Sequence, residues 1–268
     1  MSVRTFHTYV GTERGLTRGL KELKATLSPF QIELSIAAKA KPVVLEIGTG
    51  KGNVLIDLCR KYPKGEFVGT NLYKSHGLSR TEQKQYAKLL NSTPAFIVAN
   101  ATKLPIKDKQ FDVVLSQVCF MHITNKLKAI EEIYRVLKIG GTAYLEIDSW
   151  QCKKHKPQGE MPNIYVQMLK NFGNKGTPRI ILRKKGKLTS FNEFVKTNND
   201  FEVKSKNVSR DDSFTPSFRT ILKITRSSKK PLKFNTKRDK MLSKELTNLP
   251  ITNHNPASFG VVDVYEIL

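Results

Sequence analysis

The chain is short of several residue types that would each open a function class. Its 268 residues include three cysteines, one tryptophan and 23 acidic side chains against 46 Lys and Arg. Cys59, Cys119 and Cys152 lie far apart, form no CxxC pair and are odd in number. That pattern excludes a secreted disulfide framework and suits a reducing, cytoplasmic compartment. No His, Cys and Asp residues cluster at metal-ligand spacing, so no metal is expected. No apolar run approaches the roughly 18 residues that a membrane helix requires. The opening MSVRTFHTYVGTERG lacks the basic-then-apolar pattern of an export signal, so the reading is an intracellular chain without a transmembrane segment.

What is abundant is positive charge. The formal net charge is +23, and 39% hydrophobic residues suffice for a core, so disorder does not account for it. Residues 149–268 hold more of the excess than residues 1–148, +14 against +9. Such a balance points to an anionic partner, with nucleic acid the main candidate and RNA ahead of DNA. A compositional bias towards lysine is the competing reading. The oligomeric state leaves no trace in the sequence.

Apolar patterning sets the organisation. Leu16, Leu20, Leu23 and Leu27 mark an amphipathic helix inside an N-terminal segment, 1–40. From residue 41 short apolar runs alternate with helical stretches: VVLEI (43–47), EFVGT (66–70), AFIVA (95–99), FDVVLS (111–116) and TAYLEID (142–148), separated by helices over about 52–61, 76–91 and 124–138. Alternation with short connections predicts parallel strands covered on both faces, a doubly wound α/β sheet. Beyond it the pattern predicts a helix around 161–172, a strand at 179–183, a helix at 189–198 and strands at 201–208 and 218–226. The main domain is thus 41–226 with an insertion at about 150–187. Residues 227–268 read as a basic tail ending in a docked strand, SFGVVDVYEIL.

The sharpest motif is Leu45-Glu46-Ile47-Gly48-Thr49-Gly50-Lys51-Gly52, a strand that closes on an acid and runs through three glycines into a helix. Glycines there permit a tight turn and a close backbone approach, and N–H groups near the helix start can face a ligand's polar atoms. The spacing is neither the GxGxxG dinucleotide fingerprint nor the GxxxxGK[ST] phosphate loop.

With this motif the sequence resembles the class I S-adenosylmethionine-dependent methyltransferases over about 41–226. The matching pieces come in order: 45–52, Val68-Gly69-Thr70-Asn71-Leu72, Ala99-Asn100-Ala101-Thr102-Lys103-Leu104-Pro105, Phe111-Asp112-Val113-Val114, and Arg135-Val136-Leu137-Lys138-Ile139-Gly140-Gly141. The last three look like the DAxxLPF…FDxV…RVLKPGG run of the type 11 group, which includes quinone and sterol methylases. The front half, with Tyr62-Pro63 and Phe67 to Ser75, is also similar to bacterial tRNA guanine-N7 methyltransferases. That family's Asp-Pro-Trp stretch is replaced here by Ser116-Gln117-Val118-Cys119-Phe120-Met121-His122.

The resemblance implies a Rossmann-like, mostly parallel seven-stranded sheet whose last strand is antiparallel, carrying a basic C-terminal extension, with S-adenosyl-L-methionine as cofactor. It implies cofactor contacts at Glu46, Gly48, Thr49, Gly50, Gly52, Asn71, Leu72, Asn100 and Ala101. The ribose and adenine positions, usually acidic, are Asn71 and Asn100; restoring the acid with Asn71→Asp is expected to tighten binding. His122 is the candidate general base, with Ser116 and Gln117 orienting substrate. Cys119 reads as a core cysteine. Lys153, Lys154, Arg183, Lys184, Lys185 and Lys187 form the candidate nucleic-acid surface. The implied function is methyl transfer to RNA or another polyanion; a small-molecule methylase and a non-catalytic nucleic-acid-binding module are the alternatives.

Overall fold

The computed structural model describes residues 30, 32–90, 93–117, 119–120, 123–150, 164–169, 179–184, 189–207, 218–235 and 239–247. Its first elements are α1 (Ile32–Ala37), β1 (Val43–Ile47), α2 (Asn53–Lys61), β2 (Glu66–Asn71), a 3-10 turn (Lys74–His76), α3 (Arg80–Leu89) and β3 (Ala95–Val98). There follow β4 (Phe111–Ser116), α4 (Lys126–Val136), β5 (Leu137–Trp150), β6 (Ile164–Leu169), β7 (Arg179–Lys184), α5 (Thr189–Thr197), β8 (Phe201–Asn207), β9 (Phe218–Thr225) and α6 (Lys240–Thr247).

Seven strands form one sheet in the order β3-β2-β1-β4-β5-β9-β8, and β9 alone runs against its neighbours. The chain winds outward from β1 to β3 and then returns to lay β4 beside β1. The order therefore reverses between β1 and β4, where a crevice opens at the carboxyl ends of the strands.

Side-chain alternation along each central strand feeds two cores. Val44 and Val113 face one cluster with Ile32 and Ile36 of α1 and Val54, Leu55 and Leu58 of α2. Leu45 and Val114 face the other with Ile130 and Ile133 of α4, Phe191 of α5 and Leu242 and Leu246 of α6. Burial on both faces is why these strands read as unbroken apolar runs.

The family-like motifs in the second half hold the sheet together. Asp112 accepts from the Val43 amide at 2.9 Å and the Lys138 ammonium at 3.0 Å, clasping the starts of β1, β4 and β5. Arg135 donates to the carbonyls of Ile106 (2.7 Å) and Leu104 (3.1 Å) and to the Asp108 carboxylate (2.7 Å), pinning the loop after β3 onto α4. A Cβ on Gly141 would meet the carbonyl oxygens of Lys138 and Phe111 at 2.9 Å, so only glycine fits that crossing. Arg226, just after β9, caps the end of α4 by donating to the carbonyls of Tyr134, Arg135 and Leu137 at 3.0, 2.6 and 2.9 Å.

Two expectations need correction. The stretch expected as a helix around 161–172 contains β6, which pairs antiparallel with β7 in a two-stranded ribbon. Tyr165, Met168 and Leu169 lie on this strand, so their helical spacing is the known ambiguity of short apolar segments. The basic tail is in part folded structure: α6 buries Leu242 and Leu246, and its Glu245 carboxylate accepts from the amides of Ser190 and Phe191 at the start of α5. The N-terminal segment likewise contributes α1 to the core. The helix expected at 13–27 and the strand at 258–268 lie outside the described residues.

Candidate cofactor and active site

The glycine turn joins β1 to α2 at the switch point. Gly48, Gly50 and Gly52 have φ of 70, 55 and 74°, a region that side-chain-bearing residues rarely adopt. Two of the three glycines are dictated by protein neighbours. A Cβ at Gly48 would lie 2.0 Å from Cys119 Sγ, and one at Gly52 would lie 2.5 Å from the Phe96 ring. Their amides are also committed. Gly48 N and Thr49 N both donate to the Thr70 carbonyl (2.8 and 3.0 Å), Gly52 N donates to the Thr49 carbonyl (2.8 Å), and Gly50 N donates to Asn71 Oδ1 (2.9 Å). These four amides are thus satisfied within the chain.

Glu46, at the end of β1, is buried beneath this turn and accepts from the Thr49 hydroxyl at 2.6 Å. Burial pushes its carboxyl up to about 7, outweighing the opposite pull of the Thr49 bond. An incoming ammonium group would favour the ionised form. Asn71, at the end of β2, is buried and forms a reciprocal pair with Gly50, its Nδ2 donating to the Gly50 carbonyl at 2.9 Å. Beside it Leu72 and Tyr73 stay 51% and 57% exposed, which leaves an apolar surface on which a flat ring can lie.

The third-strand pair fits its expected role less well. Asn100 Oδ1 accepts from both the amide and the hydroxyl of Thr102, each at 2.9 Å, so both acceptor sites are committed to a local turn. Accepting from an adenine amino group is thereby corrected: Asn100 retains donor N–H groups for this ligand. Ala101 is buried in the core cluster.

At the end of β4, Ser116 donates its hydroxyl to the Ile47 carbonyl at 3.0 Å. It ties β4 to β1, so its expected substrate-orienting role is corrected to a structural one. Gln117 can still take that role, since it is buried and its Nε2 has no hydrogen-bond partner among the described residues. Cys119 is half-buried and packs on Gly48, a correction to its expected place in the core. Burial, reinforced by the Glu46 charge, pushes its thiol up to about 11 despite a bond to Ser116, which makes it a poor nucleophile. His122 lies outside the described residues.

Sequence reasoning passed over Lys126, at the first turn of α4. It is buried, donates to the Ile123 carbonyl at 2.9 Å, and burial pulls its ammonium down to about 8. A lysine opening a helix reads as solvated, and nothing in the sequence marks this one as buried. Of the candidate nucleic-acid residues, Arg183 and Lys184 lie on β7, while Lys153, Lys154, Lys185 and Lys187 fall outside the described residues. Phe191 and Phe194, conceivable as base-stacking rings, belong to the core, where Phe194 packs on Phe201 and Phe234.

The strand order with its single antiparallel strand, the glycine turn and the acid beneath it are those that the resemblance to class I S-adenosylmethionine-dependent methyltransferases implies. The methyltransferase-domain family matches residues 45–145. The protein YrhH of Bacillus subtilis is 29% identical over 154 residues, which cover 56% of this chain and 77% of that one. A ubiquinone/menaquinone biosynthesis C-methyltransferase, UbiE of Pseudomonas paraeruginosa, is 34% identical over 42% of this chain and 43% of its own length. An Aquifex aeolicus methyltransferase structure aligns over 78% of this chain and 98% of that one, with 16% identity and a TM-score of 0.47. The chain spans about two-fifths of the length of the quinone methyltransferases that it matches.

The cofactor of this class is S-adenosyl-L-methionine, and the residues present fit it. Glu46 suits the amino end, the open valences of Asn71 suit the ribose, and Leu72 suits the adenine face. No helix among the described residues is long and apolar enough to cross a membrane.

Proposed function

We propose that this protein transfers the methyl group of S-adenosyl-L-methionine to a small molecule that presents an oxygen close to the reacting atom. The buried, unpartnered Nε2 of Gln117 carries this reading. A donor in that state costs roughly 1–3 kcal/mol unless an acceptor arrives, and a carbonyl or phenolate oxygen of a bound substrate would supply one. The cofactor, when bound, supplies an electrophilic methyl on a sulfonium sulfur. The chain's own work is then positional. Glu46 holds the amino end, the glycine turn fixes the sulfur's place, and Gln117 orients the acceptor. His122 is proposed as the base where the acceptor must lose a proton. Relatives named for quinone methylation support an acceptor of this kind.

Incubation with tritiated cofactor and fractionated extracts tests the proposal. Label should enter the small-molecule fraction, and Gln117→Leu should abolish the transfer while leaving cofactor affinity intact. Label confined to RNA would overturn it.

The net charge of +23 favours a second reading, a polyanionic substrate. In that case RNA binding should weaken about a thousandfold between 50 and 200 mM salt for about six phosphates engaged. Exchanging Arg183, Lys184, Lys185 and Lys187 for Gln should flatten the slope. A slope indifferent to those exchanges would dismiss the polyanion.

A further inference from the structure

In the cofactor crevice one side chain does two things at once. Asn71 Oδ1 accepts from the Gly50 amide and Asn71 Nδ2 donates to the Gly50 carbonyl, both at 2.9 Å, so a single carboxamide closes both polar groups of the central glycine in the turn. Its backbone carbonyl also accepts from Ala99 N at 2.9 Å, which anchors the residue to the strand beyond. The following loop returns over the amide: a Cβ on Gly77 would lie 3.3 Å from Asn71 Nδ2. Thr70 accepts two further turn amides, so the end of β2 holds the turn through four hydrogen bonds.

We propose that Asn71 is a positioning residue that closes the glycine turn before cofactor arrives, and that an amide stands here because a carboxylate cannot do this. A carboxylate has acceptors only. In Asn71→Asp one oxygen would keep the Gly50 N–H, but the other would face the Gly50 carbonyl across the 2.9 Å that an N–H now bridges. Two acceptors at that distance repel, and the buried carbonyl loses its donor. The remaining acceptor site and N–H of Asn71 stay available to a ribose, so turn closure and ligand contact reside in one group. The inference rests on the cofactor assignment for its affinity readout only, because the closure itself belongs to the cofactor-free protein.

Two substitutions and two measurements test it. Calorimetry with S-adenosylhomocysteine should show Asn71→Asp binding about tenfold or more weaker than the unmodified chain. Equal or tighter binding would overturn the proposal, because that is the behaviour of a ribose-binding acid. Amide exchange followed by NMR in the cofactor-free protein should show Gly50 exchanging about tenfold faster in Asn71→Leu, with amides of the β4 core unchanged. Unaltered exchange at Gly50 would overturn the closure. If the unmodified chain takes up no S-adenosylhomocysteine, the cofactor assignment fails, and the Gly50 exchange rate still decides the role of Asn71.

Discussion

The two halves of the sheet use their polar residues in opposite ways. In the second half, Asp112, Glu132 and Arg135 are committed to bonds within the chain: Asp112 to Val43 and Lys138, Glu132 to the Leu104 amide and to Arg135, Arg135 to two loop carbonyls. In the first half, Glu46 and Asn71 are each tied to the glycine turn and still keep hydrogen-bonding capacity in hand. Apart from Glu132, both sets belong to motifs that look like one family's, yet only Glu46 and Asn71 can answer to a ligand. A family-like residue therefore says where a chain's polar groups matter. Its hydrogen bonds say whether they matter to the fold or to the site.

Asp112→Ala breaks this contrast hardest if it is misdrawn. Removing the buried carboxylate orphans the Val43 amide and releases Lys138 at the end of the sheet remote from the switch point. A loss of about 2 kcal/mol is expected, read as a fall in Tm of roughly 4–8 °C. Affinity for S-adenosylhomocysteine should stay within twofold. A tenfold loss of affinity would mean that the second-half clasp serves the site as well as the fold.

Glu46 gives the complementary test, with opposite signs for binding and stability. Its carboxyl titrates near 7 in the cofactor-free protein, whereas its ordinary value is 4.5. Between these values the folded chain binds more protons at this site than the unfolded one, so the Glu46 contribution to stability falls as pH rises through that window. Ligand binding runs the other way. An ammonium group needs the carboxylate, so affinity should drop about tenfold for each pH unit below 7 and level off above it. Glu46→Gln should lose both dependences, leaving affinity low and flat, and should stabilise the cofactor-free protein at neutral pH. Identical pH profiles for the two proteins would remove Glu46 from the site.

Much of this was legible in the sequence because it is written in local patterns. The strands VVLEI and FDVVLS sit at the expected residues, since continuous β-branched runs bounded by turn residues admit few readings. The glycine turn and its acid were equally visible. What sequence could not show is the direction in which a side chain commits its valences. Asn71 and Asn100 occupy equivalent positions at consecutive strand ends and look alike in the chain, yet one pairs with Gly50 and the other folds back on Thr102. Nor could Ser116 be told from Gln117: the strand ends at Ser116, whose hydroxyl found the Ile47 carbonyl, while Gln117 just beyond it keeps an Nε2 without a partner among the described residues. The tail was misjudged because Leu242 and Leu246 are two apolar residues four apart, too sparse a stripe to announce a helix until α5 offers a surface for it.

The smallest effect expected sharpens the contrast within the first half itself. Lys51, in the middle of the turn, donates to Glu82 Oε1 at 2.5 Å and so links the turn to the start of α3. Glu82 has work apart from that link, because its other oxygen accepts from the Ser79 amide at 2.8 Å while its own amide donates to the Ser79 hydroxyl at 3.2 Å, a capping box that stands without the lysine. Both side chains are partly open to solvent, and such pairs contribute about 0.5 kcal/mol. Lys51→Met should therefore lower Tm by only about 1–2 °C, an effect that shrinks further in high salt. Affinity for S-adenosylhomocysteine should stay within twofold, since Thr70 and Asn71 already hold the turn from the side of β2. Loss of affinity comparable to that of Asn71→Asp would shift the fastening of the turn from the end of β2 to the start of α3, and with it the reason for an asparagine at position 71.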